Sequence, residues 1–208
     1  MDMNPESNYL QLCGTLAGAP VWSHSSRGVE FWRFPLSVRR LSGTADLLNV
    51  VARRRLLDTL ELQNAGKLQL VGELRSFNNR SGSGAKLVIS AFARELRFTD
   101  AEDENRLFLR GTLCKPPTLR QTPLGRDICD LMLAVNRPYG RSDYLPCICW
   151  GSLARQAGRW QVGDRLRLEG RVQSRRYLKN TESGPIERTA YEVSVLTASP
   201  DEPTSPEN

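Results

Sequence analysis

At 208 residues, 39% hydrophobic and 25% charged, the chain has the composition of a globular protein of one or two domains, and no apolar run approaches the ~18 residues needed to cross a membrane. Five cysteines are an odd set that fits a disulfide framework poorly, and the start "MDMNPESNYLQL" carries no basic or apolar leader, so free thiols and a cytoplasmic location are expected. The net charge of +6 divides unevenly: residues 1–104 hold 13 basic and 12 acidic side chains and residues 105–198 hold 16 and 8, which directs any polyanionic partner to the second half.

Near the start, "LCGTLAGAP" reads like "LRGTLCKPP" in the middle of the chain. Pairing Gly14 with Gly111 sets an offset of 97 that holds without a gap through Gly66/Gly163. Thr15/Thr112, Leu36/Leu133, Val38/Val135, Arg40/Arg137, Asp46/Asp143 and Leu48/Leu145 are identical along it, and Leu68/Leu166 and Gly72/Gly170 follow after a one-residue slip. The chain is therefore two copies of one domain, residues 1–104 and 105–198, joined through the acidic "TDAEDEN". Residues 199–208, rich in Pro, Ser and acids, are expected to be a disordered acidic tail.

In the first copy, adjacent Phe31 and Trp32 lie in strand two, so one of them must face outward. "RLLDTLELQ" (Arg55–Gln63) is its helix and "NAGK" the turn into strand four, while Arg53–Arg55 reads as a solvated turn as readily as a nucleic-acid contact. The polar "NNRSGSGAK" (Asn78–Lys86) predicts a mobile loop. The second copy gives five strand-length segments: "RLFLRGTL", "DICDLMLAV", "YLPCICW", "DRLRLEGRV" and "TAYEVSVL". "SLARQAGRW" is its one helix, with Ser152 as the cap and Gly158 weakening its end, and "LKNTESGPIE" its mobile loop. Five strands with a short helix between the third and fourth predict an all-β protein of two tandem OB folds, each a five-stranded Greek-key barrel.

Cys147 and Cys149, one residue apart, raise the question of a metal. In a strand they share a face with Leu145, and the first copy puts Leu48, Val50 and Ala52 at the same places. Plain apolar residues do the same job there, so both cysteines are expected in the core. Zinc needs about four ligands in paired spacings, and the lone His24 belongs to the other copy, so no metal and no cofactor are expected.

On the opposite face of "DYLPCICW" lie Tyr144, Ile148 and Trp150, and Pro146, which lacks an N–H, predicts an edge or bulged strand. Strand four sends Leu166, Leu168 and Val172 inward and Arg165, Arg167, Arg171 and Gln173 outward. Outward aromatics beside arginines make a stacking platform in a basic groove, the means by which single-stranded nucleic acid is held. The bland alternative is a tryptophan packed under a loop beside solvated arginines.

The second copy also resembles the bacterial single-stranded DNA-binding protein family. "GTL", "LRQTPLG", "LAVNR", "DYLPCICWG", "GDRLRLEGRVQSRRY" and "YEVSV" occur in family order over residues 106–196. The resemblance implies binding of single-stranded DNA without sequence preference, protecting it in replication, repair or recombination. Carried over, the family's stacking aromatics fall on Tyr139, Tyr144, Trp150 and Tyr177, with Arg120, Arg137, Arg141, Arg171, Arg175 and Arg176 in basic positions around them. A tandem pair implies a homodimer supplying four OB folds. Family members commonly end in an acidic tip with a hydrophobic pair that recruits replication and repair proteins; "DEPTSPEN" lacks the hydrophobic pair, so such recruitment is not expected.

Two other readings share these features: an RNA-binding or primosome accessory protein, and a protein-interaction scaffold that does not bind DNA. An enzyme is not expected, since His24 has no Ser or Cys partner in its copy and no phosphate-cradling Gly-Lys-Ser/Thr loop is present.

Overall fold

The structure is a computed structural model and describes residues 7–60, 66–79, 85–138, 140–181 and 184–201. The first copy forms β1 (Asn8–Leu16), β2 (Val21–Ser26), β3 (Val29–Arg39), β4 (Ala45–Arg53), α1 (Arg54–Asp58), β5 (Lys67–Asn78) and β6 (Leu87–Phe98). The second forms β7 (Glu104–Leu113), β8 (Thr118–Gln121), β9 (Asp127–Arg137), β10 (Arg141–Trp150), α2 (Gly151–Ala157), β11 (Arg165–Thr181) and β12 (Gly184–Pro200).

Strand order in the first copy is β2-β3-β4-β6-β5-β1, closed by β3 pairing with β1; in the second it is β8-β9-β10-β12-β11-β7, closed by β9 pairing with β7. The closures share a register: Thr15↔Ser37 and Leu16↔Leu36 in one copy, Thr112↔Ala134 and Leu113↔Leu133 in the other. Each barrel has one short parallel contact, Val50↔Ala91 in the first and Cys147↔Val193 in the second. These are two OB folds.

Alternation explains why the same residues recur inside. Phe34, Leu36 and Val38 on β3 are buried, as are Leu131, Leu133 and Val135 at the matching places of β9. A strand sends every second side chain to one face, and burying each such aliphatic chain contributes ~1.5–3 kcal/mol. Gly72 and Gly170 persist for a steric reason. A Cβ at Gly72 would lie 2.0 Å from the Phe92 carbonyl oxygen, and at Gly170 2.4 Å from that of Ser194.

Three expectations are corrected. Each closed barrel has the five expected strands but carries an extra hairpin strand outside the closure, because β2 and β8 fold back on β3 and β9 where the sequence suggested a connection. All four residues of β8 are exposed, so no apolar alternation announced it. Trp150 occupies the N-cap position of α2 without a side-chain capping bond, with Ser152 inside the first turn, and α1 spans only Arg54–Asp58; residues 61–63 of its expected length lie outside the described ones. The loop expected at Leu178–Glu187 is mostly strand, since β11 runs to Thr181 and β12 begins at Gly184. The loop expected at Asn78–Lys86 falls partly on residues 80–84, which lie outside the described residues, as do residues 202–208 of the tail.

The compact units do not follow the repeat. One unit holds Tyr9–Leu107 together with Val172–Glu192, and the other holds Phe108–Arg171 with the chain from Val193 to the end of β12. Within the first of these, the Asn105 side chain bonds the Val172 backbone twice, donating to its carbonyl at 2.7 Å and accepting from its amide at 2.9 Å. The Ser174 amide donates to Asp46 at 2.7 Å, and Val172 and Tyr191 line a narrow gap with Leu48, Leu74 and Ile89. The outer ends of β11 and β12 thus have both polar and apolar partners among first-copy strands.

Candidate nucleic-acid interface

Strand β10 pairs with β9 in unbroken register from Arg141↔Arg137 to Trp150↔Ile128. Its alternation puts Asp143, Leu145, Cys147 and Cys149 in the core and leaves Tyr144 47% and Trp150 41% exposed on the outer face. Ile148, expected outward with them, is buried. Pro146 pairs opposite Met132 without a bulge, and the contact of β10 with β12 begins only at Cys147. The strand is therefore an edge over its first half alone, which is where a missing N–H costs nothing.

Cys149 lies opposite Cys129 across the ladder, and both are buried free thiols. Burial, with a smaller contribution from Cys129, pushes the Cys149 thiol up to about 12. A thiol held protonated in an apolar layer is a packing residue rather than a nucleophile.

The arginines are held in different ways. Arg137 donates through Nε to Asp143 at 2.5 Å and through Nη2 to its second oxygen, against a carboxylate with no exposed surface. Arg120 pairs with Asp130 at 2.7 Å, both half exposed, and Arg141 is exposed. Arg171 is partly buried, with its Nε shielded from solvent and without a hydrogen-bond partner among the described residues. Gln173, expected outward, is buried and donates to Glu192 at 2.8 Å.

Tyr177, Arg175 and Arg176 fall in the unit that contains the first copy, whereas Tyr144, Trp150, Arg120, Arg137, Arg141 and Arg171 fall in the other. Tyr177 is exposed, with the Arg175 guanidinium 5.7 Å from its ring centre. Arg175 and Arg176 reach Glu192 and Glu187 only at 3.9 and 3.8 Å, loose contacts on exposed side chains that leave both cations available. Tyr139 lies outside the described residues.

The first copy keeps the frame and changes the surface. Leu47 stands where Tyr144 does, and Glu73 where Arg171 does. Glu73 pairs with both Arg75 and Arg94, at 2.9 and 2.6 Å, so its nearby cations are internally neutralised. Burial works against ionisation of Glu73, but Arg75 and Arg94 outweigh it and hold the carboxyl below its usual range. The cross-strand pair Ile128–Trp150 is replaced by Phe31–Arg53, which moves the ring to the neighbouring strand, where it stacks on His24 at 4.8 Å.

Reasoning from sequence missed two cations beside Trp150. Arg126 and Arg155 line, with Asp127, Trp150 and Ser152, an open cleft of about 550 Å³. Asp127 accepts from Gln121 and Arg155, which hold its carboxyl below the usual range. The available signal was the turn at Gly125, whose φ of +75° closes the β8–β9 hairpin and brings the next residue beside the end of β10.

Comparison with known proteins places these features. Residues 104–199 match the Single-strand binding protein family. Single-stranded DNA-binding protein 3 of Listeria innocua is 36% identical over 83 residues, covering 36% of this chain and 52% of that protein. The single-stranded DNA-binding protein of Halalkalibacterium halodurans is 34% identical over 83 residues, 36% of this chain and 49% of that one. The chain thus spans about half the length of the curated relatives it matches. Over 97% of this chain, the fold superposes on the crystal structure of the single-stranded DNA binding protein from Thermus aquaticus with a TM-score of 0.78, at 22% identity and covering 96% of that chain.

Proposed function

We propose that the protein binds single-stranded DNA without sequence preference, a reading supported by the match of residues 104–199 to the Single-strand binding protein family. The observation that carries this reading is the pair Tyr144 and Trp150, large rings left about half exposed on the outer face of a strand whose inner face is core. Bases of any identity stack on such rings, each stack contributing ~1–3 kcal/mol by alanine substitution, while arginines meet the phosphates. Arg120, Arg141 and Arg171 supply that charge beside the rings, and Tyr177 with Arg175 and Arg176 supplies a further stacking and phosphate site. Arg137 acts indirectly, by holding Asp143, the neighbour of Tyr144 in β10, and Tyr139, outside the described residues, is assigned to the aromatic set on the family resemblance alone.

In this role the protein keeps separated strands open during replication, repair or recombination in the cytoplasm, acting by binding rather than by catalysis, and as a homodimer supplying four OB folds. Titration with oligo(dT) at several salt concentrations, monitored by tryptophan fluorescence beside a sizing measurement, tests it. Quenching with a steep loss of affinity at high salt is expected. No binding at low salt would refute the proposal and favour a scaffold that does not bind DNA.

A further inference from the structure

We propose that the cleft beside Trp150 is a nucleotide subsite, in which the phosphate of the residue stacked on Trp150 is held by Arg126. The inference rests on the single-stranded DNA reading above and adds a contact that the aromatic set does not contain. Three observations converge on it. First, the cleft is a broadly open surface depression of about 550 Å³, within the ~300–1,000 Å³ range of ligand sites and with room for one nucleotide unit of a strand. Trp150 forms one wall, so a base lying on its ring delivers its sugar and phosphate into this space.

Second, the charge at the cleft is unbalanced in the direction a phosphate requires. Asp127 is the one acid that lines it, and it is committed to Arg155 and to Gln121. Arg155 therefore forms a neutralised wall. Arg126 makes no ion pair among the described residues and is exposed, so the cleft carries one uncompensated cation. A guanidinium meets phosphate through two parallel N–H donors, a match for a phosphodiester oxygen pair.

Third, the register fixes the placement. Trp150 lies directly opposite Ile128, and Arg126 stands two residues from Ile128, just before β9 begins at Asp127. Gly151, next to Trp150, adds no side chain, and a Cβ there would meet no atom within 4 Å apart from its two chain neighbours. A strand stacked on Trp150 therefore leaves the barrel over the tip of the β8–β9 hairpin rather than ending at the ring.

The test measures oligo(dT) affinity against salt for the wild type, Arg126→Ala, Arg126→Lys and Ser152→Glu, each checked for an unchanged melting temperature. Ser152 is exposed in the cleft, so its glutamate places a like charge against the phosphate without disturbing the core. Arg126→Ala should flatten the logarithmic salt slope by about 0.7, the value for one phosphate contact on a single strand. Arg126→Lys should retain the slope, and Ser152→Glu should weaken binding at low salt roughly tenfold. Wild-type affinity and slope in Arg126→Ala and Ser152→Glu, beside normal binding by the parent, would overturn the subsite and leave the DNA-binding reading standing. A parent that does not bind would instead overturn both.

Discussion

Arg137 clamps Asp143 from both ends of its guanidinium, and the carboxylate it holds has no exposed surface at all. The same pair stands in the first copy, where Arg40 donates to Asp46 at 2.7 and 2.6 Å. Two identical buried clamps at the same turn mark a structural device of the fold. Removing one partner strands a buried charge, which costs ~3–5 kcal/mol, so Arg137→Ala should lower stability by about that amount in chemical denaturation. If stability is unchanged while DNA affinity falls, Arg137 contacts the strand directly.

Acid should weaken the fold through Asp46. Burial pushes its carboxyl up, but the Arg40 hydrogen bonds together with the amide and hydroxyl of Ser174 outweigh burial and hold it below the usual range. A carboxyl whose pKa is lower in the folded state contributes stability that is present above the unfolded value of ~4 and is lost as pH falls through the folded value. Denaturation midpoints measured from pH 7 to pH 3 should therefore drop below pH ~4. Asp46→Asn should be less stable at neutral pH and show a shallower acid loss. A parallel pH curve for the variant would show that the clamp carries no such linkage.

Trp150→Ala should keep the fold, since the ring is on the outer face, and weaken oligo(dT) binding by ~1–3 kcal/mol. Most of the fluorescence quenching should disappear with it. Unchanged affinity in a folded variant would remove Trp150 from the interface.

Core placement of the cysteines predicts two outcomes. The double variant Cys147→Val with Cys149→Ala, which copies Val50 and Ala52 of the first repeat, should cost less than ~1.5 kcal/mol and bind DNA normally. In the native protein, a thiol reagent at pH 8 followed by mass spectrometry should label Cys114 first, because the other four cysteines are buried. Rapid labelling of Cys149 would contradict the packing described for β10.

Asymmetry between the copies is testable in the intact chain. Tyr144→Leu, which imports the first copy's residue, should weaken oligo(dT) binding by ~1–3 kcal/mol, one lost stack. Leu47→Tyr with Glu73→Arg should strengthen it, by supplying the first copy with a ring and reversing a charge. Failure of the double variant to gain affinity, when correctly folded, would show that the first copy lies off the path of the strand.

How much could be read beforehand varies by the kind of signal. The repeat and the alternating apolar positions gave both OB folds, because Phe34, Leu36 and Val38 match Leu131, Leu133 and Val135 one for one. Cysteine placement followed from the same comparison. What escaped was structure without an apolar pattern: β8, exposed on both faces, and the outer reaches of β11 and β12, where the polar "LKNTESGPIE" read as loop. Ile148 and Gln173 were assigned outward by strict alternation, which does not say when a neighbouring element covers the second face. The cleft at Arg126 was hidden for another reason. It depends on a hairpin turn bringing residues together across a gap in sequence that no local pattern records.

The grouping of Val172–Glu192 with the first-copy strands makes the molecule a poor candidate for clean excision at its linker. A cut after residue 104 would strip a hairpin from the strands it rests on and leave Val172, Ser174 and Tyr191 without Asp46, Asn49 and Leu48. Duplicated ancestry has here become mutual dependence: each half keeps the plan of an independent barrel, yet the pieces are no longer interchangeable modules. Two separately expressed halves should behave as a split protein, weakly ordered apart and recovering native structure only on mixing.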